Sequence, residues 1–308
     1  MSQALARTIH TAPTRRFWKR AYAAALALCG VWFVTSAAAF TVVDDTGANV
    51  RIADPARRIV SLAPHATELL FAAGAGDRIV GVMSDSDFPR AAARLPIVGN
   101  ASALDLERIL SLHPDLIVTW PYTTPAQVGV LRSQGIAVFT TDPRTIDGIA
   151  RDMERLGRLA GTTAIADDAA GRFRARLAAL AQRAAGKHVV PVFYEVSNVP
   201  LYTVGGAHLI TQALTLCGAR NVFASLTLPA PDVSIEAVLA ARPDAIVAGT
   251  AGAVMPTWLD DWKRWPELPA VRHNRFFVVD ANLLHRSGPR FVDGVEQLCG
   301  VIERARSQ

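Results

Sequence analysis

The chain has 308 residues, 51% of them apolar, enough to bury a sizeable core in two ordinary domains or one large one, which excludes wholesale disorder. Its formal charge is +5, yet Arg7, Arg15, Arg16, Lys19 and Arg20 all precede position 40, in a stretch without Asp or Glu. Setting those five aside leaves 27 of the 32 basic residues against 27 acidic ones, so a nucleic-acid-binding role loses its electrostatic footing.

Residues 1–39 read as a secretory signal that directs the protein to the periplasm. A basic stretch ends at Arg20, an uncharged and mostly apolar run follows from Ala21 to Val34, and Thr35-Ser36-Ala37-Ala38-Ala39 offers small residues for cleavage near Ala39 and Phe40. The apolar run falls short of the roughly 20 residues that a membrane-spanning helix needs. Neither a twin-arginine pattern at Arg15-Arg16 nor a lipoprotein site at Cys29 fits well. Loss of the leader removes Cys29 and leaves Cys217 and Cys299 in a compartment that permits disulfides. A bridge between them would close a loop of about 80 residues and add roughly 4 kcal/mol in the chain-entropy picture. Two separate buried thiols are the alternative at this point.

The mature chain opens on a short hairpin around Asp45-Thr46-Gly47. Strands are expected at Arg58 to Leu62, Ile79 to Val82, Leu116 to Trp120 and Ala137 to Phe139, with helices at Thr67 to Ala73, Leu104 to Leu112 and Ala126 to Gln134 between them. Strands alternating with helices of this length predict a parallel, doubly wound α/β lobe over 40–144. The segment 145–186 has no strand pattern and reads as two helices, Thr145 to Leu159 and Thr163 to Ala185, the second long enough to span a small domain. A second α/β series over 187–308 starts at Val189 to Tyr194 and continues with strands at Ala245 to Val247 and Phe276 to Val279. The predicted architecture is two doubly wound α/β lobes joined by one long backbone helix.

An internal repeat supports two related lobes. Glu107-x-x-Leu110-x-x-x-Pro114-Asp115-x-Ile117-Val118 recurs 129 positions later as Glu236-x-x-Leu239-x-x-x-Pro243-Asp244-x-Ile246-Val247. Proline ends each helix and Ile-Val fills each sheet, which any helix–turn–strand unit requires. The paired glutamates are not required in that way, although a carboxylate in a first helical turn also favours the helix dipole.

Motifs for catalysis are missing: no Gly-x-Ser-x-Gly elbow, Cys-x-x-Cys, His-Glu-x-x-His or phosphate loop is present. Gly74-Ala75-Gly76 follows a helix and reads as its C-terminal cap. His65, His113, His188, His208, His273 and His285 are scattered singly, with no metal-ligand spacing, and of these His65 is placed to cap a helix or line a cleft. Trp258, Trp262 and Trp265 share a helical face and read as core. A non-enzymatic binding role with a cleft between the lobes remains. Its candidate walls follow strand ends: Asp85, Asp87 and Phe88, then Trp120 and Tyr122, then Tyr194, aromatics offering flat apolar area and charged groups fixing orientation.

These residues carry a family resemblance. The run Arg58 to Gly74, then Ile79 to Val82, Ser86 to Pro89, Asp105 to Ile109 and Pro114 to Trp120 resemble the N-lobe of the cobalamin-binding periplasmic proteins, of the helical-backbone (class III) receptors that feed ABC importers. Leu216 to Gly218, Asn221 to Phe223, Val233 to Glu236 and Arg286 to Arg290 continue the likeness in the second lobe. The resemblance implies a monomeric receptor for cobalamin or another corrinoid, with no resident cofactor or metal. It implies that Glu107 and Glu236 dock the two lobes onto arginine pockets of a dimeric membrane permease with its ATPase subunits. It also implies a Cys217–Cys299 disulfide, and places Asn282 and Arg286 against the polar edge of the ligand. The cleft departs from the pattern: Asp85 stands where the family has Tyr, and Ala101 and Ala230 where it has Trp, while Trp120 is retained. Haem-binding relatives place a ligating Tyr in the loop where Asn100 and Ala101 stand, which leaves Tyr122 or His285 as stand-ins here. Haem or a ferric siderophore is therefore the second choice of ligand. A periplasmic enzyme acting on a tetrapyrrole or metal chelate, and a structural role without ligand, are the readings from other classes.

Overall fold

The computed structural model describes residues 40–307, so the reading of 1–39 as a cleaved signal lies outside the described residues. Strands β1 (Phe40–Val43) and β2 (Asn49–Ile52) form the opening antiparallel hairpin. Its turn closes on Asp44, whose carboxylate accepts the N–H groups of Thr46 and Ala48, both at 2.9 Å. There follow β3 (Ile59–Ser61), α1 (Pro64–Ala72), β4 (Ile79–Val82), α2 (Leu106–Ser111), β5 (Leu116–Thr119), α3 (Pro125–Ser133) and β6 (Ala137–Thr140). Proline in the first turn pre-sets the starting dihedral of α1 and α3. Gly74 adopts φ +77° just past the end of α1, a left-handed position that stops that helix cheaply.

Two helices then run without a strand: α4 (Ile146–Ala160), whose Thr145 hydroxyl accepts the Gly148 N–H at 3.1 Å, and α5 (Thr163–Ala184). At 1.5 Å per residue, α5 is about 33 Å long. The C-terminal part comprises β7 (Val190–Glu195), the small hairpin β8 (Ser197–Asn198) and β9 (Leu201–Tyr202), α6 (Leu209–Leu216), β10 (Ala219–Asn221), α7 (Ile235–Ala241), β11 (Ala245–Thr250), α8 (Pro269–Arg272), β12 (Phe276–Asp280), α9 (Ala281–Leu284) and α10 (Phe291–Ser307). No helix among the described residues is long and apolar enough to cross a membrane.

Each lobe is built on a four-stranded, wholly parallel sheet, ordered β4-β3-β5-β6 in the first and β10-β7-β11-β12 in the second. Strands buried on both faces need apolar residues at every position, and alternate side chains serve different layers. Ile59, Leu116 and Val118 join one core while Val60 and Ile117 enter a separate outer layer; Val192 and Val247 against Phe193 and Ile246 repeat this in the second lobe. The inner layers of both lobes belong to one continuous core running through Met153 and Leu156 of α4, Phe173 and Leu177 of α5, and Val295 and Leu298 of α10. The backbone helices therefore share the lobes' apolar core. Trp262 is buried in the outer layer of the second lobe, where Trp258 and Trp265 pack beside it on a 3-10 turn, consistent with a core role.

Candidate functional site

A cleft between the two sheets opens beyond the ends of their strands and encloses about 260 Å3, just below the roughly 300–1,000 Å3 usual for small-molecule sites. From the first lobe it is lined by His65 at the start of α1, by Trp120 and Tyr122 after β5, and by Thr141 to Arg144 after β6. The second lobe contributes Ala207 to Leu209 at the start of α6, Pro229, and Leu284, His285 and Ser287 at and beyond the end of α9. Grooves of larger volume on the outside of α5 and α10 run between charged side chains such as Arg183, Lys187 and Glu296, without aromatic walls.

Trp120 anchors the first wall. Its ring meets His65 edge-on at 5.5 Å and lies 4.8 Å from Tyr122 at a 59° tilt, making one aromatic surface. Tyr122 is 74% exposed at the rim, so most of its ring is free for a ligand. The three imidazoles lining the cleft are all held below their ordinary pKa. Burial, then the nearby Arg286 charge, brings His65 down to about 4; burial, then His285, brings His208 to about 4. Burial also lowers His285, against the opposing pull of Asp280. The cleft therefore presents neutral rings at pH 7, which suits a large, weakly charged ligand. Asp142 and Arg144 on the rim pair with each other.

Several residues expected on the walls stand elsewhere. Tyr194 is fully buried in β7, because its position in the strand points it into the inner core, and its hydroxyl reaches His285 Nε2 at 3.1 Å. Asp85 is exposed at a left-handed turn residue, φ 64°, and does not line the cleft. Asn282 is exposed in α9 and also lies off the cleft lining. Phe88 lies beneath the Arg290 guanidinium, 4.0 Å from its ring centre. Arg286 is not free to meet a ligand edge: it reaches Asp87 at 2.6 Å and Glu68 at 3.4 Å.

Those last contacts form a clamp between the lobes. Glu68, buried on α1, accepts from Arg290 Nε at 2.9 Å and Nη2 at 2.5 Å, a two-point pairing of guanidinium and carboxylate. Burial raises Asp87, but the hydrogen bond and charge of Arg286 outweigh it and hold the carboxyl below its usual value. The clamp went unread in the sequence because its partners are some 200 residues apart, Glu68 and Arg290 by 222 and Asp87 and Arg286 by 199. The imidazoles of His208 and His285 were also missed as a group with His65. His65 stands in the first turn of α1, His208 caps α6 and His285 ends α9, but nothing local says that the three helix ends converge.

Away from the cleft, Glu107 and Glu236 occupy matched positions. Each is exposed and is the second residue of its helix, two positions after a capping side chain. Asp105 accepts the Arg108 N–H at 2.9 Å, and Ser234 accepts the Ala237 N–H at 3.2 Å. Glu236's own backbone N–H and the Ser234 hydroxyl hold its carboxyl below the usual range. Cys217 and Cys299 form a disulfide, tying the end of α6 to α10 with Cα atoms 4.8 Å apart.

Comparison with known proteins follows the same lines. Residues 59–283 match the family described as periplasmic binding protein. A vitamin B12-binding protein of Vibrio cholerae serotype O1 is 37% identical over 256 residues, which cover 82% of this chain and 92% of that one. The crystal structure of the periplasmic vitamin B12-binding protein BtuF of Vibrio cholerae superposes with a TM-score of 0.74 at 36% identity, covering 82% of this chain and 99% of that chain. A periplasmic heme-binding protein, RhuT from Roseiflexus, superposes with a TM-score of 0.67 at 26% identity over 81% and 99% of the two chains.

Proposed function

The chain belongs to the periplasmic binding protein family, and we propose that within it this protein captures cobalamin or a related corrinoid and delivers it to the membrane permease of an ABC importer. One observation carries the ligand class: Trp120, Tyr122 and His65 form an aromatic wall in a neutral cleft between two lobes, in a chain 37% identical to a vitamin B12-binding protein. Flat conjugated rings bind by stacking on such walls. The corrin exceeds the enclosed 260 Å3, so it extends over the exposed face of Tyr122. Ala101 and Ala230 are exposed and small, so the remaining sides of the site are more open than two tryptophans would leave them.

Delivery rests on Glu107 and Glu236, two exposed carboxylates at equivalent points of the two lobes, the second held below the usual carboxylate range by its own backbone N–H and the Ser234 hydroxyl. That spacing suits a two-fold permease, and charge pairing there sets orientation and the rate of encounter. The ATPase subunits of such an importer work on the permease, so this chain needs no catalytic group of its own. Export through the leader would bring the protein to the compartment where its disulfide forms. A second reading, haem in place of a corrinoid, is favoured by the heme-binding structural relative and by the imidazoles of the cleft.

Titration calorimetry of the purified protein with cyanocobalamin, cobinamide and haemin tests the reading. Micromolar or tighter corrinoid binding supports it; haemin binding alone moves the ligand to haem; silence from all three refutes a tetrapyrrole ligand. Turnover of a bound chromophore would replace the receptor with an enzyme.

A further inference from the structure

Two of the three imidazoles in the cleft have their tautomers fixed, because each meets a group that must donate to it. His208 Nδ1 accepts the Ile210 N–H at 3.1 Å and so caps α6. A backbone N–H never accepts, so Nδ1 carries no proton and the proton of the ring sits on Nε2. At His285 the arrangement is reversed. Its Nε2 lies 3.1 Å from the hydroxyl of Tyr194, which is fully buried and has no other partner among the described residues. A buried hydroxyl left without an acceptor is costly, so Tyr194 donates to Nε2 and the His285 proton sits on Nδ1. Gly249 in the neighbouring β11 makes room for this pair, since a Cβ there would stand 2.5 Å from the Tyr194 oxygen and 2.7 Å from His285 Nε2.

The two rings are opposite tautomers with the same outcome: each leaves an N–H donor, and no lone pair, on its free nitrogen. Both residues line the cleft. Among the described residues every buried side-chain nitrogen or oxygen has a partner except Arg275 Nε, so the partnerless Nε2 of His208 is open to solvent, and His285 is itself exposed. The rings are close enough that a charge on His285 acts on His208. Two donors cannot satisfy one another. Asp142, the one carboxylate on the cleft lining among the described residues, is already paired with Arg144.

The group that fits two fixed donors is an oxygen with lone pairs and no proton of its own. A corrinoid carries such oxygens on its edge, as the carbonyls of its carboxamide arms and, in cobalamin, as the phosphodiester of the nucleotide loop. Resting on the corrinoid reading above, we propose that His208 Nε2–H and His285 Nδ1–H are specificity-determining donors that hold an acceptor oxygen at the edge of the bound corrinoid. The Ile210 N–H and the Tyr194 hydroxyl are the positioning groups behind them. A second proton on either ring would set a donor against a donor at the occupied nitrogen, so hydrogen bonding and burial act together to keep both rings neutral. A ligand that presents an amine or ammonium at this edge meets donors with donors, whereas carbonyl and phosphate oxygens are accepted.

Long-range proton–nitrogen correlation NMR of the protein labelled in its histidines, at neutral pH, reads each tautomer without any ligand. The expected result is Nε2–H at His208 and Nδ1–H at His285, with both N–H protons moving downfield on addition of cyanocobalamin. His208→Ser keeps an N-cap for α6, and His285→Ala removes the second donor. Each should weaken cyanocobalamin binding about three- to tenfold in calorimetry, the worth of one net hydrogen bond, with the fold checked by circular dichroism. His285→Gln can accept from Tyr194 and still donate, so it should recover most of that loss. Tyr194→Phe leaves the His285 tautomer unfixed and should give an averaged nitrogen pattern at His285 but not at His208. Dicyanocobinamide, which lacks the nucleotide loop, separates the two oxygen sources. An equal loss with both corrinoids assigns a carboxamide carbonyl, and a loss confined to cyanocobalamin assigns the phosphodiester. A proton on the other nitrogen of either ring, or unchanged affinity for both corrinoids in either donor-removing variant, overturns the assignment and leaves the corrinoid reading standing. If neither corrinoid binds the wild-type protein, that reading fails and the role of the donors with it.

Discussion

Replacing Glu68 with alanine tests whether the clamp holds the lobes together. The Glu68 side chain is 1% exposed, and it is the shared partner of Arg290, 20% exposed, and Arg286, 18% exposed. Breaking a buried ion pair by removing one partner costs roughly 3–5 kcal/mol, because the surviving charge is stranded. Here both guanidiniums keep some water, Arg286 keeps Asp87 and Arg290 keeps the Phe88 ring, so the cost falls to about 2–3 kcal/mol. For a chain of this size that lowers the melting temperature by roughly 4–12 °C. Calorimetric unfolding of the wild type, Glu68→Ala, Arg290→Ala and the double variant forms a cycle whose coupling energy isolates the pair. Simultaneous replacement of Glu68, Arg286 and Arg290 by apolar residues of similar volume should restore most of the loss, since no charge is then left unpaired. A Glu68→Ala loss within about 0.5 kcal/mol of zero, the range of ordinary surface substitutions, would refute the reasoning.

Stability should also fall as pH rises toward 8. Burial holds Glu195 up to about 8, despite the hydrogen bond from Trp262 Nε1 at 2.9 Å, with Asp261 adding to the rise. The folded state then binds a proton that the unfolded state has released, so stability declines between the ordinary glutamate value and about 8, by about 1.4 kcal/mol per unit. Glu195→Gln should flatten that slope in denaturant titrations run at several pH values. The chain from residue 40 onward, unfolded without reductant, should show no titratable thiol; two would remove the disulfide, whose reduction is expected to cost roughly 4 kcal/mol. Exchanging both Glu107 and Glu236 for arginine should abolish uptake in a reconstituted importer while calorimetry finds ligand affinity unchanged. Weakened affinity would instead place those residues in ligand binding.

Much of the architecture was readable from local pattern. Pro114-Asp115 and Pro243-Asp244 stop a helix and admit a strand wherever they occur, and the alternation of short apolar runs with helical spacing admits few arrangements other than parallel sheets. The absence of a strand pattern between 145 and 186 likewise marked the two helices α4 and α5. Site residues were less readable. Trp120 and Tyr122 follow a strand whose exit faces the cleft, and the rule that ligands meet strand ends placed them there. The same rule set Asp85 and Phe88 on the cleft wall, but the loop after β4 turns at Asp85 in a left-handed conformation and carries Asp87 to Arg286 and Phe88 to Arg290.

The sequence by itself determined most strands and helices of the first lobe, the two helices between the lobes, and that a helix–turn–strand unit is written twice. Periodicity and turn chemistry are properties of neighbouring residues, so they act before any lobe is assembled. Only the tertiary structure decided that Tyr194 lies behind His285, 91 positions away, and that Glu68 is shared by two arginines of the other lobe. These pairings depend on which face of a strand packs inward and on how two separately wound sheets are set against a common helical core. No local pattern carries that information, because it exists only once both lobes have folded around α4, α5 and α10.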